Sequence, residues 1–226
     1  MTTEFQFAAR ALGLELSPAQ IERFDAFEEA LYASNAVMNL TRIPREECWL
    51  KHFIDSLMLS PRIPAGATVL DIGTGPGFPS WPLACARPDL AVTALDSSGK
   101  MLGFLKRSPL ENLRIVEARA EDWGIRDAFD VVTGRAVAPL PIQLEISAAP
   151  TKPGGCVIPM RTATEREILL ALPLEELGLD VERIDEDVLP GSDIPRLFPV
   201  LRKVSPTPAR FPRTWAEIKR RPLGAP

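Results

Sequence analysis

The stretch Val69-Leu70-Asp71-Ile72-Gly73-Thr74-Gly75-Pro76-Gly77-Phe78-Pro79 places three glycines at every second position, directly after an apolar run that contains one acid. Glycine reaches positive φ without strain and lets a ligand approach the backbone, and the helix expected after Pro79 offers unpaired N–H groups at its start. A strand, a loop and a helix in this order can receive a small polar ligand. The same string also serves as a plain strand-to-helix turn, so the loop alone leaves both readings open.

The next apolar run, AVTALD, ends in Asp96, nineteen residues beyond Gly77. An α/β cofactor domain places a carboxylate there against ribose hydroxyls. A dinucleotide loop has G-x-G-x-x-G spacing, with backbone N–H groups facing a pyrophosphate. Here the third glycine comes one residue early, Pro76 lacks an N–H, and Asp71 would repel a diphosphate. An acid suits an ammonium group or its bound water instead. These features favour S-adenosylmethionine, which has an amino group, a sulfonium and no phosphate.

Short apolar runs continue outward from the loop. Strands are predicted over Thr68 to Asp71, Ala91 to Asp96, Leu113 to Glu117, Phe129 to Thr133, Gly155 to Met160, Val181 to Val188 and Leu197 to Val204. Several lack alternation, as strands covered on both faces do, and helical intervals separate them. The expected fold class is α/β with a mostly parallel sheet. Ahead of it, Ser17-Pro18-Ala19-Gln20 has the form of a capping box, and Ile21, Phe24, Phe27 and Leu31 form an apolar stripe. A second helix is expected across Glu46 to Leu59, with Leu50, Phe53, Ile54, Leu57 and Met58 inward. The chain therefore reads as a helical extension over 1–62 and a cofactor domain over 63–226 in one compact unit.

The 226 residues are 46% hydrophobic, enough for a real core, and no window is apolar enough for a membrane span. The amino terminus has no secretory pattern, so a soluble cytoplasmic protein is expected. Cys48, Cys85 and Cys156 are far apart and there is one histidine, which argues against a metal site or a disulfide framework. The net charge is −4, yet Arg202 to Pro226 holds seven bases against one acid. That asymmetry suits a body that touches a polyanion with one edge, and equally suits a solubilising tail.

Seven segments in order resemble the ribosomal RNA small-subunit methyltransferase G family, also called glucose-inhibited division protein B. They are NLT at Asn39 to Thr41, HFIDSL at His52 to Leu57, DIGTGPGFP at Asp71 to Pro79, and LDSSGKMLGFL at Leu95 to Leu105. RAEDW at Arg119 to Trp123, GRAVAPL at Gly134 to Leu140, and FPRTWAEIKRRPL at Phe211 to Leu223 follow. The resemblance implies a class I, Rossmann-like methyltransferase with a seven-stranded sheet covered on both faces. It also implies S-adenosylmethionine as methyl donor and N7 of a guanine in the 530 loop of 16S ribosomal RNA as acceptor. The implied partner is that RNA or the small ribosomal subunit, with no membrane and no metal, and the chain is expected to act as a monomer. Three positions depart from the family pattern: Ser80-Trp81 after GFP, Gly134 before the Arg-Ala pair, and Arg161-Thr162 in place of lysine-glycine.

Guanine N7 carries a lone pair and no proton, so its methylation needs alignment and no general base. His52 is accordingly expected to be structural, joining the helical extension to the domain. Cofactor contacts are expected from Asp71, Gly73, Gly75, Gly77, Phe78, Asp96, Ala120 and Glu121, with Arg135 at the meeting point of cofactor and substrate as the candidate catalytic residue. Arg161, Arg213, Lys219, Arg220 and Arg221 are the candidate RNA contacts. Methyl transfer to a protein or small molecule, and a noncatalytic RNA-binding assembly factor, are the alternatives.

Overall fold

The computed structural model describes residues 1–225; Pro226, the last residue of the expected domain, lies outside them. Seven strands form one sheet in the order β3-β2-β1-β4-β5-β7-β6. They are β1 (Thr68–Ile72), β2 (Ala91–Asp96), β3 (Leu113–Glu117), β4 (Phe129–Arg135), β5 (Thr151–Met160), β6 (Leu179–Val188) and β7 (Pro195–Lys203). The first five pair in parallel, and β7 runs against both β5 and β6.

The two faces of the sheet follow the two-residue period of a strand. Val69, Val92, Ala94 and Val131 enter one core, and Leu70, Ile72, Leu95 and Val132 enter the other. The first core lies under α1 (Thr3–Ala11), α2 (Pro18–Met38), α4 (Ser80–Ala86) and α5 (Gly99–Leu105). The second lies under α6 (Leu140–Ala148) and α8 (Trp215–Arg220), while α7 (Arg166–Leu170) packs beside them. Parallel strands buried on both faces explain why the sequence shows continuous apolar runs there.

The capping box at Ser17 and Gln20 is present, with Ser17 N–H donating to Gln20 at 2.8 Å. Gln20 also donates to the Cys85 carbonyl at 2.8 Å, tying α2 to α4. Phe24, Phe27 and Leu31 are buried as the stripe predicts, whereas Ile21 is half-buried. The expected regular helix over Glu46 to Leu59 differs in form. A π-helical segment at Trp49–Ile54 leads into α3 (Asp55–Leu57), and nearly every side chain from His52 to Ser60 is buried, polar ones included. Such wide turns concentrate at functional sites. The core continues without a break across residue 62, since Phe24, Phe53 and Trp81 pack edge to face.

The three cysteines are buried free thiols. No helix among the described residues is long and apolar enough to cross a membrane. Among those residues no group of three His, Cys, Asp or Glu side chains could hold a metal ion.

Candidate active site

In the order β3-β2-β1-β4-β5 the chain direction of growth reverses between β1 and β4, and open α/β sheets bind ligands outside the carboxyl ends of their strands at such a point. The loop after β1 bends there because Gly73 N–H and Thr74 N–H both donate to the Leu95 carbonyl at the end of β2, at 2.8 and 3.1 Å. Gly73 and Gly75 have φ of 68° and 57°, which favours glycine. A Cβ on Gly75 would point into open space. Asp96 receives Gly75 N–H on one oxygen and Ser98 N–H on the other, both at 2.8 Å, so the loop and the start of α5 hold the carboxylate in place.

A cleft of about 340 Å³ opens over these groups, lined in part by Gly73, Asp96, Ala120, Glu121, Val137 and Trp215. Glu121 Oε1 is buried and makes no hydrogen bond, with the exposed Arg119 guanidinium 3.6 Å away as its one ionic neighbour. Asp71 is fully buried beneath the loop. One of its oxygens accepts Ser80 N–H at 3.0 Å, and the other has no partner. Burial pushes the Asp71 carboxyl up to about 7, against the opposing hydrogen bonds of Thr74 and Ser80. The Asp96 and Glu121 carboxylates that line the cleft, with the open glycine cradle, suit a cationic, hydroxyl-bearing nucleoside and would repel a diphosphate.

A second cleft, about 600 Å³, adjoins the first, and Ala136 lines both. Ala136 has φ of 54°, a left-handed conformation uncommon for a residue with a side chain and a feature of functional turns. Ile43, Met160 and Ile194 supply apolar wall, and Asp55, Arg135, Arg161, Glu165 and Arg196 supply charge.

Arg135 closes β4 and faces this second cleft. Its guanidinium donates to Asp55 Oδ2 at 2.8 Å, to the Lys51 carbonyl at 2.8 Å and to His52 Nδ1 at 2.9 Å. Three of five N–H donors are thus occupied within the protein, and two remain. A guanidinium has no acceptor, so His52 Nδ1 must accept and Nε2–H donates to Thr41 Oγ1 at 2.7 Å. Burial, then the Arg135 charge, pushes His52 down to about 3 and keeps it neutral. His52 stacks on Phe78 at 4.1 Å and 8°. It has the structural part expected for it.

Several expectations are corrected. Gly77 turns away from the cleft: a Cβ there would meet Leu105 at 2.7 Å and Trp81 at 3.1 Å, so its bareness serves packing. Phe78 is buried against His52 and Phe27 and lines neither cleft. Asp71 lies behind the loop and not on its surface. Arg161 donates to Glu165, to the Ala138 carbonyl at 3.0 Å and to Gln143 at 2.8 Å, which occupies four of its five donors and leaves little for a phosphate. Arg213 is bound at 2.9 and 2.5 Å by Glu145, a wholly buried carboxylate of α6, and is a core ion pair. Lys219, Arg220 and Arg221 are exposed and, among the described residues, form no ion pair with an acid.

The three family departures have local causes. Ser80 Oγ bonds Thr74 Oγ1 beneath the loop, and Trp81 stacks on Phe27 at 4.0 Å and donates to the Ser108 carbonyl at 2.9 Å. Gly134 has no room for a side chain, since a Cβ would lie 2.7 Å from the Ile72 carbonyl oxygen. Arg161 is the third, built into the wall.

Sequence reading missed Asp55, Glu165, Arg196, Val137 and Trp215. A charged residue inside the apolar HFIDSL run is the one signal that could have found Asp55.

A family model described as rRNA small subunit methyltransferase G matches residues 20–178. A ribosomal RNA small subunit methyltransferase G of Acetivibrio thermocellus is 39% identical, over 95% of this chain and 93% of that protein. A Haloferax volcanii methyltransferase solved with its Trm112 activator superposes with a TM-score of 0.58 at 19% identity, covering 79% of this chain and 98% of that one. A TehB-like SAM-dependent methyltransferase of Corynebacterium glutamicum superposes with a TM-score of 0.54 at 19% identity, covering 83% and 100%.

Proposed function

Because this chain belongs to the rRNA small subunit methyltransferase G family, we propose that its two joined clefts carry out methyl transfer from S-adenosylmethionine to guanine N7 in 16S ribosomal RNA. The observation that carries this reading is the sharing of Ala136 by a nucleoside-sized cleft and a charged cleft with apolar walls. The methyl donor supplies an electrophilic carbon on a sulfonium when bound. Asp96 would hold ribose hydroxyls and Glu121 would accept a donor of the adenine, while Asp71 would support the loop from behind through Ser80 N–H.

The acceptor nitrogen has no proton to lose, so none of these side chains is needed as a base. The work of the protein is alignment. Fixing a nucleophile in line with the reacting carbon is worth up to ~7 kcal/mol in favourable cases. Arg135 has two free N–H donors at the joint of the clefts and is the residue proposed to hold the target base or its phosphate.

The rest of the RNA needs contacts outside the clefts. Trp215 lines the cofactor cleft and opens α8, and Lys219 lies four residues on, roughly 6 Å along the axis. Lys219, Arg220 and Arg221 are therefore proposed phosphate contacts beside the cleft mouth. The proposed target segment is the 530 loop, and the proposed acting unit is a single chain in the cytoplasm.

The test is incubation of purified protein and labelled S-adenosylmethionine with small subunits lacking the modification, followed by mass mapping of the RNA. One 7-methylguanosine within the 530 loop is expected. Label in protein, in small molecules or elsewhere in the RNA would overturn the substrate assignment, and absence of donor binding by calorimetry would leave a noncatalytic assembly factor.

A further inference from the structure

The carboxyl end of the chain supplies part of the cofactor cleft, and the reason lies in the sheet. Parallel strands usually join through a helix, yet residues 118–128, between β3 and β4, form turns and bends without one. α8 lies over that face of the sheet instead. Ile218 is wholly buried in the same core as Leu70, Leu95 and Val132, and Ala118 and Ala120 of the β3 loop pack on that core, as does Trp215. Residues three apart share one side of a helix, so burying Ile218 turns Trp215 toward the sheet as well. The chain is pinned on both sides of Trp215. Before it, Arg213 holds the buried Glu145 through its backbone N–H and its guanidinium, each at 2.9 Å. After it, the capping box of Thr214 and Glu217 fixes the first turn, with Thr214 N–H donating to Glu217 at 3.1 Å.

We propose that the Trp215 indole lies against the adenine ring of S-adenosylmethionine, a cofactor contact supplied by the C-terminal helix. This inference rests on the S-adenosylmethionine reading above and adds a residue beyond the 20–178 span that the family model matches. Among the described residues that line the cofactor cleft, Trp215 is the one aromatic. It is half-buried, so part of the ring packs on the core and the rest is open to a ligand. Two parts of the donor can meet an indole face, the flat adenine by stacking and the sulfonium by cation–π attraction. Position decides between them. The sulfonium methyl has to be delivered across Ala136, which lines both clefts, whereas Trp215 lines the cofactor cleft alone, as Ala120 and Glu121 do. The indole therefore belongs with the groups around the adenine. Ala118 and Ala120 add small apolar side chains to the same lining, which suits a flat ring.

The experiment measures, by calorimetry, binding of S-adenosylmethionine and of S-adenosylhomocysteine, which keeps the adenosine and lacks the sulfonium charge. The proteins compared are the full chain and its Trp215→Ala and Trp215→Phe variants. Trp215→Ala should weaken both ligands by the same factor, roughly 5- to 100-fold, the range for one base stacked on an aromatic side chain. Trp215→Phe keeps a ring and should stay nearer wild type. Tryptophan emission reports the contact independently of affinity. A stacked adenine quenches an indole, so emission should fall on saturation of the wild type and stay level in Trp215→Phe, where Trp49, Trp81 and Trp123 remain. If Trp215→Ala fails to fold, the phenylalanine variant carries the comparison through this signal. A loss confined to S-adenosylmethionine would move the indole to the sulfonium and overturn the adenine contact. Unchanged affinity in the alanine variant, or wild-type quenching in the phenylalanine variant, would remove Trp215 from cofactor binding while leaving methyl transfer intact. A wild type that binds neither ligand would overturn the cofactor reading and this inference with it.

Discussion

Arg135 and Asp55, eighty positions apart in the chain, meet at 2.8 Å between the carboxyl end of β4 and the helical extension. Asp55 also holds Arg196 of β7 at 2.5 Å, so one buried carboxylate ties three elements around the charged cleft. Removing one member of a buried ion pair leaves uncompensated charge and costs about 3–5 kcal/mol. Asp55→Ala should lose stability on that scale in urea unfolding, because two arginines lose their partner at once. Arg135→Ala should lose less, since Asp55 retains Arg196, and should fold with little or no methyl transfer. Full turnover by Arg135→Ala on small-subunit RNA would remove the guanidinium from the reaction.

Asp96 couples the glycine loop to α5 through Gly75 and Ser98, and it lines the smaller cleft together with Glu121. Hydrogen bonds to a charged group contribute about 1.5–3 kcal/mol. Asp96→Ala should therefore weaken S-adenosylmethionine binding by roughly 10- to 100-fold. Calorimetry at constant pH measures this directly, and a dissociation constant within twofold of wild type would show that the ribose is held elsewhere.

Asp71 and His52 give stability opposite dependences on pH. Asp71 rises from 3.8 to about 7 on folding because it is buried, so the folded state keeps a proton that the unfolded state releases. That contribution is fully present below about pH 4 and is lost as pH rises to about 7. His52 falls from 6.5 to about 3, chiefly by burial, so the unfolded state holds the extra proton, and stability is lost as pH falls through that interval. Between about pH 4 and 6.5 the two slopes oppose one another. Asp71→Asn should expose the His52 slope, with stability rising by ~1.4 kcal/mol for each pH unit across that interval. Denaturant melts at a series of pH values test it, and a variant whose profile overlays wild type would show that Asp71 titrates normally.

The sheet and the cofactor loop were open to reading because their signals are local. Ala91–Asp96 and Leu113–Glu117 match the expected strands in full, since buried parallel strands show themselves as β-rich runs between breakers. The Gly73 and Gly75 turn was legible for the same reason. Partnership across the fold was not. Arg213 looks in the sequence like one more base in a basic tail, and nothing near it announces Glu145, which lies 68 residues earlier in a helix buried all round. Gly77 and Phe78 belong to the same motif as Gly73, but the alternating turn of the loop sends them into the core. The π-helical segment at Trp49–Ile54 has an apolar pattern that suits an ordinary helix, and only tertiary packing selects the wider turn.

The basic tail divides into two kinds of cation, and salt dependence separates them. Removing one cation that neutralises a phosphate should flatten the slope of log K against log salt by about 0.7–0.9, according to whether the RNA is single- or double-stranded there. Lys219→Ala, Arg220→Ala and Arg221→Ala sit on exposed positions, so they should leave folding intact and reduce the slope roughly additively. Arg213→Ala removes the partner of a carboxylate with no exposure, so its expected effect is a loss of about 3–5 kcal/mol in stability. Once corrected for the unfolded fraction, its salt slope should match wild type. Filter binding to small-subunit RNA across a salt series, beside urea melts of the same four variants, distinguishes the two. If the Arg213 variant were stable with a flattened slope while the Lys219, Arg220 and Arg221 variants behaved as wild type, the ion pair with Glu145 would be incidental and the RNA would track along Arg213 instead.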